Sequence, residues 1–422
     1  MERAQRSLSP HSSPPLIHPS NNPPLPMRQT ELNATLATML DAHPGISDLI
    51  FSVGRPLQVE SFGVLKEVHG YPEIKKLTAY QTEQVALNII GPARHLLRDL
   101  VARGACDCSY ALDDRARFRV NIFKQRGHFA IVMRKAQSEM PSLTSLGLAP
   151  IFRNMAREKN GLILVTGATG SGKTTTLSAM LNEINETQAV HVVTLEDPIE
   201  FIHQHKKATF NQRELGGDFD TFPNGLRSAL RQAPKVILVG EMRDRATVEI
   251  AMTAAETGHL VISTIHTINA GQSINRILGM FELAEETQLR LRLSETLRYI
   301  VSQRLAPKVG GGRLLVNEIM GTNLRVREAI ALGEADGRSF YDIIEANATF
   351  GWTTFDQSLS RAYQAGLVNE ETADLYATNK ARMTRSIDDV KKQRGLADDA
   401  PTGFKLDLDA MAPTAGALRV GV

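Results

Sequence analysis

Short apolar runs alternate with helix-spaced stretches over the middle of the chain. Between residues 151 and 310 the runs are 162–166, 191–195, 236–240 and 260–264. Helical patterns lie between them, notably 174–184 and 246–256, and this order predicts a parallel sheet covered by helices. Residues 284–305 read as one long amphipathic helix. Upstream, residues 30–135 read as a mixed α/β domain. There 31–42 is helix-like, 48–53 is an apolar run, and Gly54-Arg55-Pro56 is a turn signal. The stretch 117–123 (RFRVNIF) alternates polar and apolar positions, as a half-buried strand does, and 129–133 continues the pattern. Residues 136–150 read as an interdomain linker. Residues 311–380 read as mostly helical, and 381–422 as a flexible tail.

Composition adjusts this outline at three points. Residues 1–29 hold seven of the nineteen prolines, so they read as a disordered Pro-rich segment unable to build a core. The chain has 422 residues and is 42% hydrophobic, enough for one to three packed domains. No stretch approaches the ~20 apolar residues that span a bilayer, and the N-terminus lacks a signal-peptide pattern, so a cytoplasmic protein is expected. The formal charge of +2 gives no global reason to expect a nucleic-acid partner. The two cysteines, Cys106 and Cys108, read as free thiols in a reducing compartment.

The chemistry begins at Gly167-Ala168-Thr169-Gly170-Ser171-Gly172-Lys173-Thr174, a complete phosphate-binding loop between a strand and a helix. Glycines let backbone amides turn inward around phosphates, and the following helix offers its positive end to the same anion. Lys173 is expected on the β- and γ-phosphates of ATP, and Thr174 on Mg²⁺, with Thr175 beside it. A second strand ends in Glu196-Asp197, acids suited to activating water or holding metal-bound water, with Asp197 the candidate for Mg²⁺ contact through water. A third ends in Gly240-Glu241. Gly240 replaces the usual metal-binding Asp, so Glu241 stands alone as the group that polarises the attacking water. His259 and His266 flank the fourth strand, and nucleotide sensing by at least one is expected. A γ-phosphoryl transition state also gains from a guanidinium, often a neighbouring subunit's. Arg117, Arg119, Arg126 and Arg134 cluster in the first domain, while Arg213, Arg227 and Arg231 lie between the second and third strands. The sequence does not choose among them.

Residues 30–375 resemble the PilT/PilU retraction ATPases of type IV pili, within the secretion ATPase superfamily. GATGSGKT is similar to that family's Walker A, TLEDPIEFIHQH to its aspartate box, ILVGEMRD to its Walker B, and AETGHLVISTIHT to its histidine box. RFRVNIFKQRG resembles the arginine-bearing strands of its N-terminal domain. The resemblance implies an α/β chain with a RecA-like P-loop NTPase core (151–310), a smaller N-terminal PAS-like α/β domain and a helical C-terminal region. It implies a homohexamer in which ATP is contacted by the next subunit's Arg117, Arg119 or Arg126. It also implies retraction of the pilus through an inner-membrane platform protein, with peripheral docking there, beside a paralogous retraction ATPase. The sequence departs from the family at Lys235, which stands where an Asp is usual. It departs again at 324–330 (LRVREAI), in place of a helical motif associated with productive retraction. Residues 201–205 and 353–387 lean towards PilU, and 240–244 towards PilT.

Three other readings compete. A pilus-assembly or type II secretion ATPase usually carries a longer N-terminal region and a four-Cys zinc subdomain, against two cysteines here. A RecA-like nucleic-acid translocase needs a basic track. A ring component that binds ATP without hydrolysing it has no need of both Lys173 and Glu241.

Overall fold

The computed structural model describes residues 28–68, 74–113, 115–136, 139–335 and 338–394. Residues 1–27 of the Pro-rich segment and 395–422 of the expected tail lie outside them. The chain divides into two compact units. One runs to Glu139 and includes Pro198–Ile202; the other holds Met140–Asp197 and the residues from His203 onward.

The first unit is built on β1 (Ile46–Phe51), β2 (Gln58–Ser61), β3 (Val64–Glu67), β4 (Ala105–Leu112), β5 (Ala116–Gln125) and β6 (His128–Lys135). They form one antiparallel sheet in the order β3-β2-β1-β6-β5-β4. Helices Gln29–Asp41, Ala79–Ile90 and Arg94–Arg103 supply Leu32, Leu36, Val85, Ile89 and Leu100 to a core shared with Phe118, Val120 and Ile122 of β5. Side chains alternate along a strand, so Arg117 and Arg119 fall on the face of β5 turned away from that core. Arg126 sits in the β5–β6 turn at a φ of 50°. Cys106 is buried in the same core, and burial pushes its thiol up to about 11, so it stays protonated at neutral pH.

The second unit carries β7 (Gly161–Gly167), β8 (His191–Glu196), β9 (Thr209–Glu214), β10 (Val236–Val239), β11 (Leu260–Ile265), β12 (Leu297–Pro307) and β13 (Arg313–Gly321). Their order is β13-β12-β7-β11-β10-β8-β9, parallel except for β13. Every residue of β7, β10 and β11 is buried, as expected of strands covered on both faces, and this is why they read as unbroken apolar runs. Helices Lys173–Thr187 and Arg245–Glu256 fall where the helical pattern predicts them.

Four expectations need correction. The helix expected over 284–305 spans only Glu286–Thr296 and then gives way to β12. Tyr299, Ile300 and Val301 suit a pleated surface, and β12 gains ladders with β7 on one side and β13 on the other. Residues 311–380 begin not with helix but with β13, which joins the same sheet through a turn at Gly310–Gly312, all at positive φ. Residues 140–150 of the expected linker belong to the second unit, where Leu143 is buried in the core. The expected tail starts instead as the helix Lys380–Gln393, held by Met383 and Ile387 against Phe355, Leu359 and Val316.

One buried charge in this unit has a stability consequence. Glu318 on β13 is 3% exposed and accepts a hydrogen bond from the Ala270 amide at 2.8 Å, in the first turn of the helix Ala270–Leu278. Burial pushes its carboxyl up to about 7, against the opposing pull of the Ala270 amide and Arg304. An acid whose folded value is raised costs stability as pH climbs from its unfolded value through the folded one. Glu318→Gln keeps an acceptor for Ala270 without the charge. It should therefore stabilise the chain at about pH 8, by on the order of 1–3 kcal/mol, with the gain vanishing towards about pH 5. Urea unfolding at the two pH values measures this.

Candidate nucleotide site

The site is built at the C-terminal ends of the parallel strands. Strand β7 runs into Gly167 at a φ of 145°, followed by Gly170 at 78° and Gly172 at 89°. Such angles are open to glycine and strained for other residues. At Gly167 the restriction is also steric: a Cβ there would stand 2.4 Å from Ser171 Oγ and 2.6 Å from the Gln303 carbonyl on β12. Ala168, Thr169 and Gly170 are exposed at the loop tip, while Thr174 and Thr175 are partly exposed in the first turn of the helix Lys173–Thr187. The Lys173 ammonium donates to Gly167 O at 2.9 Å and Ala168 O at 3.0 Å. The loop's own carbonyls thus take the charge that a bound phosphate would claim. The fit to phosphate is good, since the cradle combines three glycines at positive φ, a helix N-terminus and one ammonium.

Glu196 ends β8 and is buried. Its Oε1 accepts from Thr194 Oγ1 at 2.6 Å and from Gln212 Nε2 at 3.0 Å, while Gln212 Oε1 also accepts from the His203 amide at 2.8 Å. His203 is stacked on Phe210 with ring centres 4.6 Å apart, and burial, with nearby Lys206, lowers it to about 4, so the ring is neutral. Asp197, the next residue, is exposed.

Glu241 follows β10 with its side chain 14% exposed. Its Oε2 lies 2.6 Å from Arg243 Nε and 3.4 Å from His266 Nε2. The turn that presents it is tied to β11, as Ser263 Oγ donates to Val239 O and Thr264 Oγ1 to Gly240 O, each at 2.7 Å. A side chain at Gly240 is crowded, because a Cβ there would meet the Leu195 carbonyl of β8 at 3.0 Å, so the neighbouring backbone would have to give slightly to take the usual Asp.

The two histidines do not converge. His266 follows β11 at the end shared with the phosphate loop, and reaches Glu241. His259 precedes β11, bonded through Nδ1 to Ala254 O at 3.0 Å, with its carbonyl accepting from the Gly161 amide. Six strand residues, hence seven rises of ~3.3 Å, separate them by about 23 Å. In one chain only His266 belongs to this end of the sheet. The arginines are also dispersed. Arg117 donates to Ser109 Oγ and Arg134 pairs with Asp48 at 2.9 Å, both within the first unit, where Arg119 and Arg126 are exposed. Arg213 donates to Asp218 O at 2.7 Å and faces the Phe219 ring, Arg227 bonds Asn224, and Arg231 bonds the Arg227 carbonyl.

Several residues at the site escape sequence reading. Gln303 pairs in register with Gly167, is buried, and donates to Thr176 Oγ1 at 2.7 Å. It lies in the stretch that reads as helix, so no signal marks it. A cleft of about 380 Å³ opens between loop residues 167–171 and β12–β13, walled by Ile268, Leu305, Arg313 and Tyr376. Arg243 sits inside the Walker B-like box, where its spacing from Glu241 is visible but its pairing is not.

Residues 109–334 match the family model described as type II/IV secretion system protein. The chain is similar to the type IV pilus retraction ATPase PilT of Pseudomonas aeruginosa, at 38% identity over 342 residues, which cover 81% of this chain and 97% of that one. It is also similar to the type IV pilus ATPase PilU of the same organism, at 35% over 334 residues, covering 79% and 85%. A crystal structure of the pilus retraction motor PilT with bound ADP aligns with a TM-score of 0.74 at 37% identity, covering 84% of this chain and 98% of that one.

The crowding at Gly240 gives a direct test. Gly240→Ala pushes a methyl group against a neighbouring strand's backbone and should destabilise the chain by about 1–3 kcal/mol. Thermal unfolding reads this; a melting temperature equal to that of the parent chain would remove the steric account of the missing Asp.

Proposed function

The chain belongs to the type IV pilus retraction ATPases of the type II/IV secretion system proteins, and from that premise we propose that it works as a homohexameric ring whose ATP turnover extracts pilin through an inner-membrane platform protein. It is an ATPase with a RecA-like core preceded by a PAS-like α/β unit. Among the described residues no helix is long and apolar enough to cross a membrane. The proposed location is the cytoplasm, docked on the pilus machine.

The observation that carries this reading is the convergence of the phosphate loop, Glu196 and the Glu241–His266 pair on one end of one parallel sheet. In the proposed mechanism the loop amides and Lys173 bind the phosphates of ATP, which draws the ammonium from its resting carbonyls. Thr174 would hold Mg²⁺, with Glu196 and Asp197 bonded to its waters; hard oxygen donors of this kind suit that ion, which when bound neutralises phosphate charge. Glu241 accepts the proton of the attacking water as the γ-phosphoryl group departs. His266, on the same carboxylate, reports the γ-phosphate to β11. A guanidinium from the next subunit's first unit, Arg117, Arg119 or Arg126, completes the charge balance.

A second reading rests on the helix Leu324–Leu332, whose sequence departs from the motif associated with productive retraction. In that case the chain is an accessory, PilU-like motor beside a paralogous retraction ATPase.

Glu241→Gln should lower turnover by roughly 10²–10⁴-fold, the usual contribution of a general base, with nucleotide binding retained. Steady-state phosphate release measures it, and unchanged turnover would remove Glu241 from the base role. In cells, deletion of the gene should leave pili in place while twitching is lost or reduced. Bald cells would instead identify an assembly motor.

A further inference from the structure

The carboxylate proposed as base does not wait unengaged. Two side-chain nitrogens approach its Oε2, Arg243 Nε at 2.6 Å and His266 Nε2 at 3.4 Å. That oxygen is thereby engaged by the Arg243 guanidinium, with the His266 ring at its edge. The two differ in cost of release. Arg243 is 71% exposed along its side chain, and an ion pair so open to solvent is worth little, so the guanidinium can be redirected cheaply. His266 follows the end of β11, and its ring stands farther from the carboxylate. At the other side of the site the Lys173 ammonium rests on the loop carbonyls. Both mobile cations of the site are therefore paired with the chain's own oxygens.

A γ-phosphate offers Arg243 a stronger partner than Glu241 does. It carries more charge and presents oxygens that match the guanidinium fork. The separation is within reach. In the sheet order β7-β11-β10, Glu241 and Arg243 stand two strands from the phosphate loop on the same edge, about 10 Å away at ~4.8 Å per strand. The phosphate tail of a nucleotide and an extended arginine together span that gap.

We infer that Arg243 is a γ-phosphate-operated latch: it holds the Glu241 carboxylate in the nucleotide-free chain and transfers to the γ-phosphate of ATP, so that ATP frees the base and ADP does not. This rests on the nucleotide-site reading above.

A binding cycle tests the latch, with ADP and the β,γ-imido analogue of ATP as probes. Arg243→Gln should weaken the analogue roughly tenfold or more, the usual scale of a charge-assisted hydrogen bond, and leave ADP within about twofold. Glu241→Gln removes the resting partner of Arg243. It should tighten the analogue by about two- to fivefold, a gain that the double variant loses. Arg243→Lys should recover part of the preference for the analogue. An analogue-to-ADP affinity ratio unchanged in Arg243→Gln overturns the latch. An equal loss of both nucleotides overturns it too, since that marks a structural role. Lys173→Ala is the separate control and should abolish binding of both. If it binds both as the parent chain does, the nucleotide-site reading itself fails, a result distinguishable from failure of the latch alone.

Discussion

The parallel ladder linking β7, β11, β10 and β8 is the constraint on which the rest of the site depends. It pairs Thr166 with Ile265, Val239 with Ser263 and Val239 with Leu195, so four strand ends lie in one row. Whatever follows those ends, be it the glycine loop, Glu196, Glu241 or His266, is delivered to the same edge. No hydrogen bond between these groups is needed to bring them together, because the backbone has already done so. A one-residue slip would also send each buried face to the opposite side, and with both faces covered by helices the register has little freedom.

Close backbone approach is the second consequence of that ladder. Gly167 lies against β12 and Gly240 against β8; a Cβ has no room at the first and is crowded at the second. At Gly167 this makes the loop turn where it does. At Gly240 the tight approach favours the smallest residue beside Glu196 of β8, whose carboxylate accepts hydrogen bonds from Thr194 and Gln212. Glu196 is thus fixed by hydrogen bonds at Oε1.

How much of this is legible in the sequence follows from the same physics. Strands buried on both faces read plainly, and so do the loop and the acids at their ends, since type and order there fix position. The alternation along β5 predicts which way Arg117 and Arg119 face, and the structure agrees. Strand β9 (TFNQRE) is a polar edge strand with one face exposed, so no apolar run marks it. Strand β12 follows a genuine helix without a breaker residue, and its place beside β7 comes only from tertiary pairing. Gln303, on that strand, was therefore invisible. The helix Lys380–Gln393 is strongly charged and keeps only Met383, Ile387 and Val390 buried, a stripe too thin to announce itself. The histidines show the limit of spacing alone, since only His266 lies at the end of β11 shared with the phosphate loop. Flanking one strand places two residues at its opposite ends, and in a parallel sheet only one end holds the chemistry.

Side-chain pairing is the level at which sequence falls silent. Lys173, Glu241, Arg243 and His266 can each be picked out by type, yet their resting partners follow from rotamers and register rather than spacing. The structure shows both signs of charge satisfied internally, the ammonium on loop carbonyls and the carboxylate on Arg243. A site so arranged has little net demand for a ligand until one arrives that outcompetes both internal partners at once. In the proposed binding mode the β-phosphate region addresses Lys173, and a γ-phosphate would extend towards the end of β10. On the proposed latch, ATP and ADP both draw Lys173 from its carbonyls, and the exchange of partner at Arg243 alone separates them.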